Sequence, residues 1–341
     1  MEFVKLIFDN MDTIIKSAIT GVVIEALIIG YKTYKKRASV GNVDNPNNVQ
    51  WKKIGRVDDL IIYPVKSSAQ PVRYDSFAFC DYGMCRQEYG TYFWDGMFLL
   101  YNKTKDKFED SQRYRFLQSV TANLTNTGEV TLSSHRVLNK VKLDIDRYRN
   151  PSNRFVKETW NGTSETIYGS DLHVNTWLKE VLNTNEIVEP NEFNKANVDI
   201  TLAQMLPQNW NSTQRIKENL YRFRQGYEDM KFEKKTGKFI TLPRFVLMTS
   251  KTFVKLDTRH SFLTPNIIIE TGKLINPFEE KNWKWIKIGD EIILRNVKPV
   301  PRRPSEEEFK HFGIYCALWT GGNVKLYDKV YIDSESFHSD V

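Results

Sequence analysis

Residues 51–67 read WKKIGRVDDLIIYPVKS, and this stretch decides the fold. Apolar side chains alternate with polar ones from Ile54 to Ile62, a period of two that is typical of a strand with one buried face. Pro64 cannot donate a hydrogen bond to a neighbouring strand, so it ends the pattern. The sequence therefore predicts a strand through Ile62, followed by a turn over residues 63–67.

The composition is that of a folded chain of 341 residues, which suits one large domain or two of medium size. Hydrophobic residues make up 40% and aromatic residues 13%, which is enough for a packed interior. Glycine and proline are too few for a fibrous or disordered chain. The net charge of +7 is dispersed along the chain. A nucleic-acid surface needs clustered charge, so no nucleic acid is predicted as a partner.

The chain has three cysteines, Cys80, Cys85 and Cys316. They cannot all pair with one another, and the odd number indicates a reducing compartment rather than a disulfide scaffold. The spacing of Cys80 and Cys85 is a weak metal signal, because no cluster of histidine or cysteine joins it. We predict two buried structural thiols there. Cys316 alternates with Ile314 and Leu318 in an apparent strand, so we predict that it lies in the core.

The N-terminal residues 14–31 form an apolar segment about long enough to cross a bilayer. A basic run over residues 32–37 follows, and such a flank keeps its side of the membrane cytosolic. No small-residue cleavage site is evident, so residues 1–37 are predicted to be an uncleaved signal anchor. The alternative is an amphipathic helix that lies on a membrane or packs on the domain. The polar residues 38–50 are predicted to be a flexible linker.

Many further short strands and few helices are predicted, which indicates a mostly β, α+β fold rich in β-barrel. The strands cover residues 92–101, 116–124, 130–132, 140–145, 154–158, 239–248, 265–270, 314–318 and 324–332, and residues 283–294 are predicted to form a hairpin that turns at Gly289-Asp290. One helix is predicted after Ser170 or Asp171, either of which can cap it, since apolar residues then recur at helical spacing. These residues are Val174, Trp177, Leu178, Val181 and Leu182. Ser250 is predicted to start a second, short helix.

Residues 209–230 predict another helix, in which arginine and lysine alternate with tyrosine and phenylalanine. Mixed basic and aromatic residues can grip phosphates or RNA. The preferred interpretation is a solvated basic face with an aromatic underside.

The C-terminal third carries a second ordered set of motifs: Thr264–Gly272 (TPNIIIETG), Trp283, Ile288-Gly289-Asp290 and finally Pro301-Arg302-Arg303. Together with the Tyr-Pro-Val-Lys-Ser turn at residues 63–67, this order resembles the MOSC domain, as typified by the mitochondrial amidoxime-reducing component family. The resemblance covers about residues 51–333. It implies an N-terminal MOSC-associated β-barrel domain over residues 51–190 and a MOSC β-barrel over residues 191–335.

The family binds a molybdenum cofactor, whose phosphate needs cations and hydrogen-bond donors and whose metal needs a soft thiolate. The resemblance implies cofactor contacts at Lys66, Ser67, Asn266, Arg302 and Arg303. The family's thiolate ligand is a cysteine at the position of Arg303. An arginine is a permanent cation with no lone pair to offer a metal. We therefore predict no catalytic residue and no metal ligand.

Other family positions at the cofactor are also changed. The family has two arginines where this chain reads Trp94–Phe98 (WDGMF), and only the aspartate remains. Thr264 takes the place of a further arginine. The stretch Thr241–Phe245 (TLPRF) lacks the family's acid and one hydroxyl. The framework motifs are retained while the ligands are lost.

The sequence thus predicts a membrane-anchored MOSC-type protein that is degenerate at the molybdenum site, with a residual pterin or anion pocket. Its domain would face the cytosol, and the resemblance implies the mitochondrial outer membrane. One alternative is an active molybdenum-dependent oxidoreductase that reduces N-hydroxylated substrates and takes electrons from a haem or flavin protein. A second alternative is a membrane-tethered scaffold that recruits partners through residues 209–230. Fold alone does not decide among them.

Overall fold

The structure is a computed structural model of the chain. It describes Glu25, Ile216, Leu220 and Tyr227 together with residues 45–81, 83–145, 154–158, 164–182, 199–205, 223–225, 245–256, 264–301 and 311–336. Within these ranges no helix is long and apolar enough to cross a membrane. Of the anchor predicted at residues 14–31, only Glu25 is described, as a helical and exposed residue, so the anchor stays a prediction.

In chain order, the described residues form the strands β1 (Trp51–Ile62), β2 (Val72–Arg73), β3 (Ser76–Cys80), β4 (Gly83–Glu88), β5 (Thr91–Trp94), β6 (Phe98–Asn102), β7 (Lys107–Glu109), β8 (Thr121–Leu124), β9 (Val130–Ser134), β10 (Val137–Leu143), β11 (Arg154–Glu158), β12 (Ser164–Gly169), β13 (Ile200–Met205), β14 (Phe245–Thr249), β15 (Ile267–Thr271), β16 (Trp285–Ile288), β17 (Ile292–Pro299), β18 (Ile314–Thr320), β19 (Gly322–Lys325) and β20 (Lys329–Asp333). The helices are α1 (Leu172–Leu182) and α2 (Ser250–Leu256). Short 3-10 helices cover Pro46–Asn48, Arg115–Ser119, Glu279–Asn282 and Ser334–Ser336.

Seven strands close into a barrel, so the predicted mostly β, α+β class with a β-barrel is confirmed. The strands follow one another in the order β15-β14-β18-β17-β16-β20-β1, and β1 pairs again with β15. All neighbouring pairs are antiparallel except β14 and β15, which run parallel. Parallel neighbours need a crossover connection, and α2 lies in it.

The first strand closes the barrel, because β1 is paired along both edges. Gly55 faces Thr271 on one side and Val330 on the other. A Cβ atom at Gly55 would lie 1.9 Å from the carbonyl oxygen of Glu270, which no side chain can tolerate. The predicted strand from Ile54 to Ile62 is confirmed, since it lies within β1. Glycine is needed at position 55 because two backbones approach closely there.

Strand β2 pairs with the end of β1, outside the closed ring of seven. The other strands form three smaller sheets, with the orders β10-β9-β8, β11-β12-β13-β6-β7 and β19-β3-β4-β5. The prediction of one strand over residues 92–101 was wrong. The stretch holds two strands, β5 and β6, which belong to different sheets. The break is a turn at Asp95 and Gly96, where Gly96 has a φ of 67° that glycine adopts without a steric penalty.

Strand pairing crosses the boundary predicted between residues 190 and 191. The barrel takes β1 from the N-terminal side of that boundary, whereas β13 pairs with β6 and β19 pairs with β3. The two predicted regions therefore share their sheets in both directions.

Helix α1 begins and packs as its sequence pattern predicts. The Asp171 carboxylate accepts a hydrogen bond from the Val174 backbone N–H at 3.0 Å, which satisfies one exposed donor of the first turn. The indole N–H of Trp177 donates to the carbonyl of Asn139 on β10 at 2.7 Å. The apolar face of the helix is buried against the sheet core.

The described residues of the predicted helix 209–230 pack on the barrel. Ile216, Leu220, Phe223 and Tyr227 are helical and buried against β17 and β18. The Arg224 guanidinium, on the same segment, donates from Nε to the carbonyl oxygen of Val297 at 2.6 Å. The described aromatic residues of this segment, Phe223 and Tyr227, are thus part of a buried apolar cluster on the barrel.

Candidate functional site

The turn after β1 is held against the turn between β5 and β6. The backbone N–H of Lys66 donates to the carbonyl of Phe98 at 2.8 Å. The N–H of Phe98 donates to the carbonyl of Pro64, also at 2.8 Å, and Val65 forms an isolated parallel bridge with Phe98. The structure thus brings together two of the segments that the sequence resemblance places at the cofactor.

Asp95 fixes the other end of this contact. Its Oδ1 atom accepts a hydrogen bond from the Tyr63 backbone N–H at 2.6 Å. The Gly96 N–H donates back to the Tyr63 carbonyl at 2.9 Å. Burial and the neighbouring Asp95 carboxylate raise the pKa of the Tyr63 phenol well above its ordinary value. The aspartate that remains in WDGMF therefore has a structural role, which is to hold the turn that carries Lys66.

Ser67 is in the left-handed region, with a φ of 67°. A residue with a Cβ atom pays about 1–2 kcal/mol for this conformation, and such outliers gather at functional sites. The next residue, Ser68, is buried and anchors the chain by donating its hydroxyl to the Val120 carbonyl at 2.6 Å. Lys66 and Ser67 are half-buried. The turn is thus fixed on both sides of a strained residue.

Asn266 lies at the same end of the barrel, directly before β15, with 1% of its surface exposed. Its Nδ2 atom donates to the Ile61 carbonyl at 3.1 Å, and its Oδ1 atom accepts from the Val246 N–H at 3.0 Å. The Ile61 N–H donates to the Asn266 carbonyl at 2.9 Å. These bonds join β1, β14 and β15 just below the Lys66 turn, so Asn266 supports the site from within the sheet.

Arg302 and Arg303 lie outside the described residues, and their contact with a cofactor stays a prediction. Strand β17 runs antiparallel to β1, so it ends at the opposite end of the barrel from the Lys66 turn. The residues on either side of positions 302–310 lie close together, since the Val300 N–H donates to the Gly313 carbonyl at 2.9 Å. The described residues therefore do not bring Pro301 to the Lys66 turn.

The thiol of Cys316 is fully buried in the barrel core, as predicted. Burial raises its pKa far above the ordinary value, so it stays protonated. Cys85 is also buried, with 6% of its surface exposed, while Cys80 is half-buried. Among the described residues, no group of three or more His, Cys, Asp or Glu side chains is placed to hold a metal ion.

A buried acid was missed by the sequence analysis. Glu280 has no exposed surface, and its Oε2 atom accepts a hydrogen bond from the Thr252 hydroxyl at 3.0 Å. That hydroxyl accepts from the Thr249 hydroxyl at 2.9 Å and from the Phe278 N–H at 2.7 Å. Burial raises the pKa of Glu280 to about 7, which the Thr252 hydrogen bond only partly offsets. Glu280 lies between the charged residues Glu279 and Lys281, and nothing in this sequence pattern indicates that its side chain is buried.

Comparisons with known proteins add little to this geometry. No family model matches the chain, and no curated protein matches it. Among solved structures, the solution structure of a protein from Bordetella bronchiseptica is similar, with 11% identity. The match covers 33% of this chain and 75% of that one, with a TM-score of 0.24. A likeness at that level carries no argument about fold or function.

Proposed function

We propose that this chain is a MOSC-type protein that binds a phosphate-bearing anion at the Lys66–Ser67 turn and does not ligate molybdenum. The observation that carries the proposal is the construction of that turn. It holds Ser67 in a strained conformation, and the chain is fixed on both sides: the Lys66 N–H donates to the Phe98 carbonyl, and the Ser68 hydroxyl donates to the Val120 carbonyl. Strain of this kind persists only where the surroundings impose it.

The chemistry of the turn suits an oxyanion. Lys66 supplies a cation with three donors, and Ser67 supplies a hydroxyl. Hydrogen bonds from a charged donor to phosphate are about twice as strong as neutral ones. Because hydrogen bonds already fix the backbone of the turn, an incoming anion meets a preformed site, which lowers the entropy cost of binding.

The thiols of the described chain do not fit the molybdenum of the family's cofactor. A soft metal of this kind is bound by a thiolate at an open site. Cys316 is enclosed in the barrel core and stays protonated. Cys80 and Cys85 contact each other through their sulfur atoms on neighbouring strands. We therefore assign no metal-dependent step to this chain, and we propose a degenerate protein rather than an active reductase.

The scaffold alternative rests on the basic and aromatic composition of segment 209–230. The described aromatic residues of that segment, Phe223 and Tyr227, are buried against the barrel, so a partner would have to meet its basic residues. The cytosolic orientation and mitochondrial outer membrane remain proposals that rest on residues 1–37 and on the resemblance.

The test uses the full-length protein, purified from a host that makes molybdopterin. Elemental analysis should find far less than one molybdenum atom per chain. Isothermal titration with inorganic phosphate should show binding that Lys66→Ala weakens by roughly 10- to 100-fold, the effect of losing one charge-assisted hydrogen bond.

Lys53→Ala is the matched control, because Lys53 is an exposed lysine on β1, the strand that precedes the turn. It should leave phosphate binding unchanged. Stoichiometric molybdenum together with amidoxime reduction would overturn the degenerate interpretation. Equal phosphate affinity of the Lys66→Ala variant and the unaltered protein would overturn the assignment of the anion to this turn.

A further inference from the structure

Two cysteines meet across the hairpin formed by β3 and β4. Cys80 pairs with Gly83, and Cys85 pairs with Ala78 two rungs further along, so both thiols project from the same face. Their sulfur atoms lie 3.4 Å apart. A disulfide needs about 2.05 Å, so the two sulfurs must close by roughly 1.4 Å. Because diagonal neighbours on paired strands have Cα atoms roughly 7–8 Å apart, closure also draws the two strands of the hairpin together.

The two thiols differ in access. Cys80 is half-buried, whereas Cys85 is 6% exposed and packs in the core. The hydrogen bond from Cys80 lowers the pKa of Cys85. Cys316, in contrast, has no exposed surface and lies in the barrel on β18. The chain thus has one reachable thiol, one buried thiol beside it whose pKa is lowered, and one enclosed thiol.

We infer that Cys80 and Cys85 form a dithiol that a low-molecular-weight disulfide, such as oxidised glutathione, converts reversibly into an intramolecular disulfide. The inference is independent of the proposed anion site. It revises the prediction that both thiols are purely structural.

The exchange proceeds in two steps. The Cys80 thiol loses its proton to water and attacks one sulfur of the small disulfide; the S–S bond of the small disulfide breaks, and one small thiolate leaves. The Cys85 thiol then gives its proton to the released thiolate and attacks the Cys80 sulfur, which expels the second small thiolate; that thiolate takes up the proton that water received. Two electrons pass from the protein sulfurs to the small disulfide, which departs as two thiols.

The position of the pair connects it to the Lys66 turn. Cys85 pairs with Trp94 on β5, and the Asp95 N–H donates to the Met84 carbonyl at 3.2 Å. Asp95 is the residue that holds Tyr63. Oxidation would therefore restrain β4, the strand to which Asp95 is hydrogen-bonded, and through Asp95 it would restrain the Lys66 turn.

The experiment exposes the full-length protein to mixtures of reduced and oxidised glutathione, then blocks remaining thiols with N-ethylmaleimide. Trypsin cuts after Arg73 and Arg86, so Cys80 and Cys85 share one peptide and Cys316 lies in another. Mass spectrometry should find the first peptide lighter by two hydrogen atoms and unblocked. The Cys316 peptide should stay reduced. Dithiothreitol should reverse the change.

Single variants assign the roles. Cys85→Ser should accumulate glutathione on Cys80, at least roughly tenfold above the unaltered protein, because the resolving thiolate is missing. Cys80→Ser should acquire little glutathione, because Cys85 is enclosed. A stable glutathione adduct on Cys80 of the unaltered protein, a disulfide that includes Cys316, or no oxidation of the shared peptide would each overturn the inference. The unaltered protein alone supplies these three outcomes, so the inference stays testable if a variant does not fold.

Discussion

Replacing Glu280 with glutamine should remove a pH dependence of stability that this one side chain creates. The ordinary pKa of a glutamate is 4.5, and burial raises that of Glu280 to about 7. Between these values the folded protein binds a proton that the unfolded chain has lost. Unfolding then releases a proton, so the free energy of unfolding falls as the pH rises through this window.

The size of the effect follows from the shift. Each pKa unit corresponds to about 1.36 kcal/mol, so a shift from 4.5 to about 7 lowers the free energy of unfolding by about 3 kcal/mol between pH 4 and pH 8. The decrease is complete above the folded pKa and absent below the unfolded one. Glu280→Gln keeps an acceptor for the Thr252 hydroxyl but cannot ionise. It should therefore match the unaltered protein near pH 4 and be more stable by about 3 kcal/mol at pH 8.

Urea unfolding, followed by tryptophan fluorescence at several pH values, measures the difference between the two proteins. Taking the difference cancels the other groups that titrate. Glu291→Gln is the matched control, since the Glu291 side chain is exposed, and it should follow the unaltered protein across the range. Parallel profiles for Glu280→Gln and the unaltered protein between pH 5 and pH 8 would refute the reasoning, because Glu280 would then not be a buried acid that titrates near neutrality.

Two further changes test the packing. Trp177→Ala should lower the free energy of unfolding by roughly 3–5 kcal/mol, measured in urea, because a large buried side chain and its bond to Asn139 are lost. Leu172→Ala on the same helix, where the side chain is 80% exposed, should cost less than roughly 0.5 kcal/mol, and equal losses would contradict the assigned helix face. Gly55→Ala should abolish or sharply lower the cooperative thermal transition, because its Cβ atom would overlap the Glu270 carbonyl. An unchanged transition would show that β1 and β15 are not so closely paired.

The parts of the fold that could be predicted are those whose signal lies within a short stretch. The alternation in β1 and the helical spacing in α1 are local, and both elements formed where expected. The break at Gly96 was missed because the apolar residues on either side continue the strand pattern, and only the left-handed glycine interrupts it. Strand pairing across residue 190 depends on contacts between distant parts of the chain, which no local pattern encodes.

The candidate site was predictable only in part for the same reason. The resemblance marked Lys66 and Ser67, and the structure adds how the turn is held. The resemblance did not reveal that the Asn266 side chain joins strands by hydrogen bonds. The sequence alone does not distinguish a polar residue after proline that binds a ligand from one that bonds to backbone groups. Glu280 was missed because charged neighbours on both sides made it resemble a surface residue.

The closure of the barrel by β1 has a consequence for how the chain is made. Trp51 pairs with Asp333, so during synthesis β1 must wait for β20, which lies far later in the chain, before both of its edges are covered. Contacts this distant in sequence slow folding, and an unpaired strand edge can join another chain in the meantime. Protein synthesis should therefore pass through a stage in which residues 51–62 depend on a chaperone, and the yield of folded protein should rise when a holdase is supplied during translation.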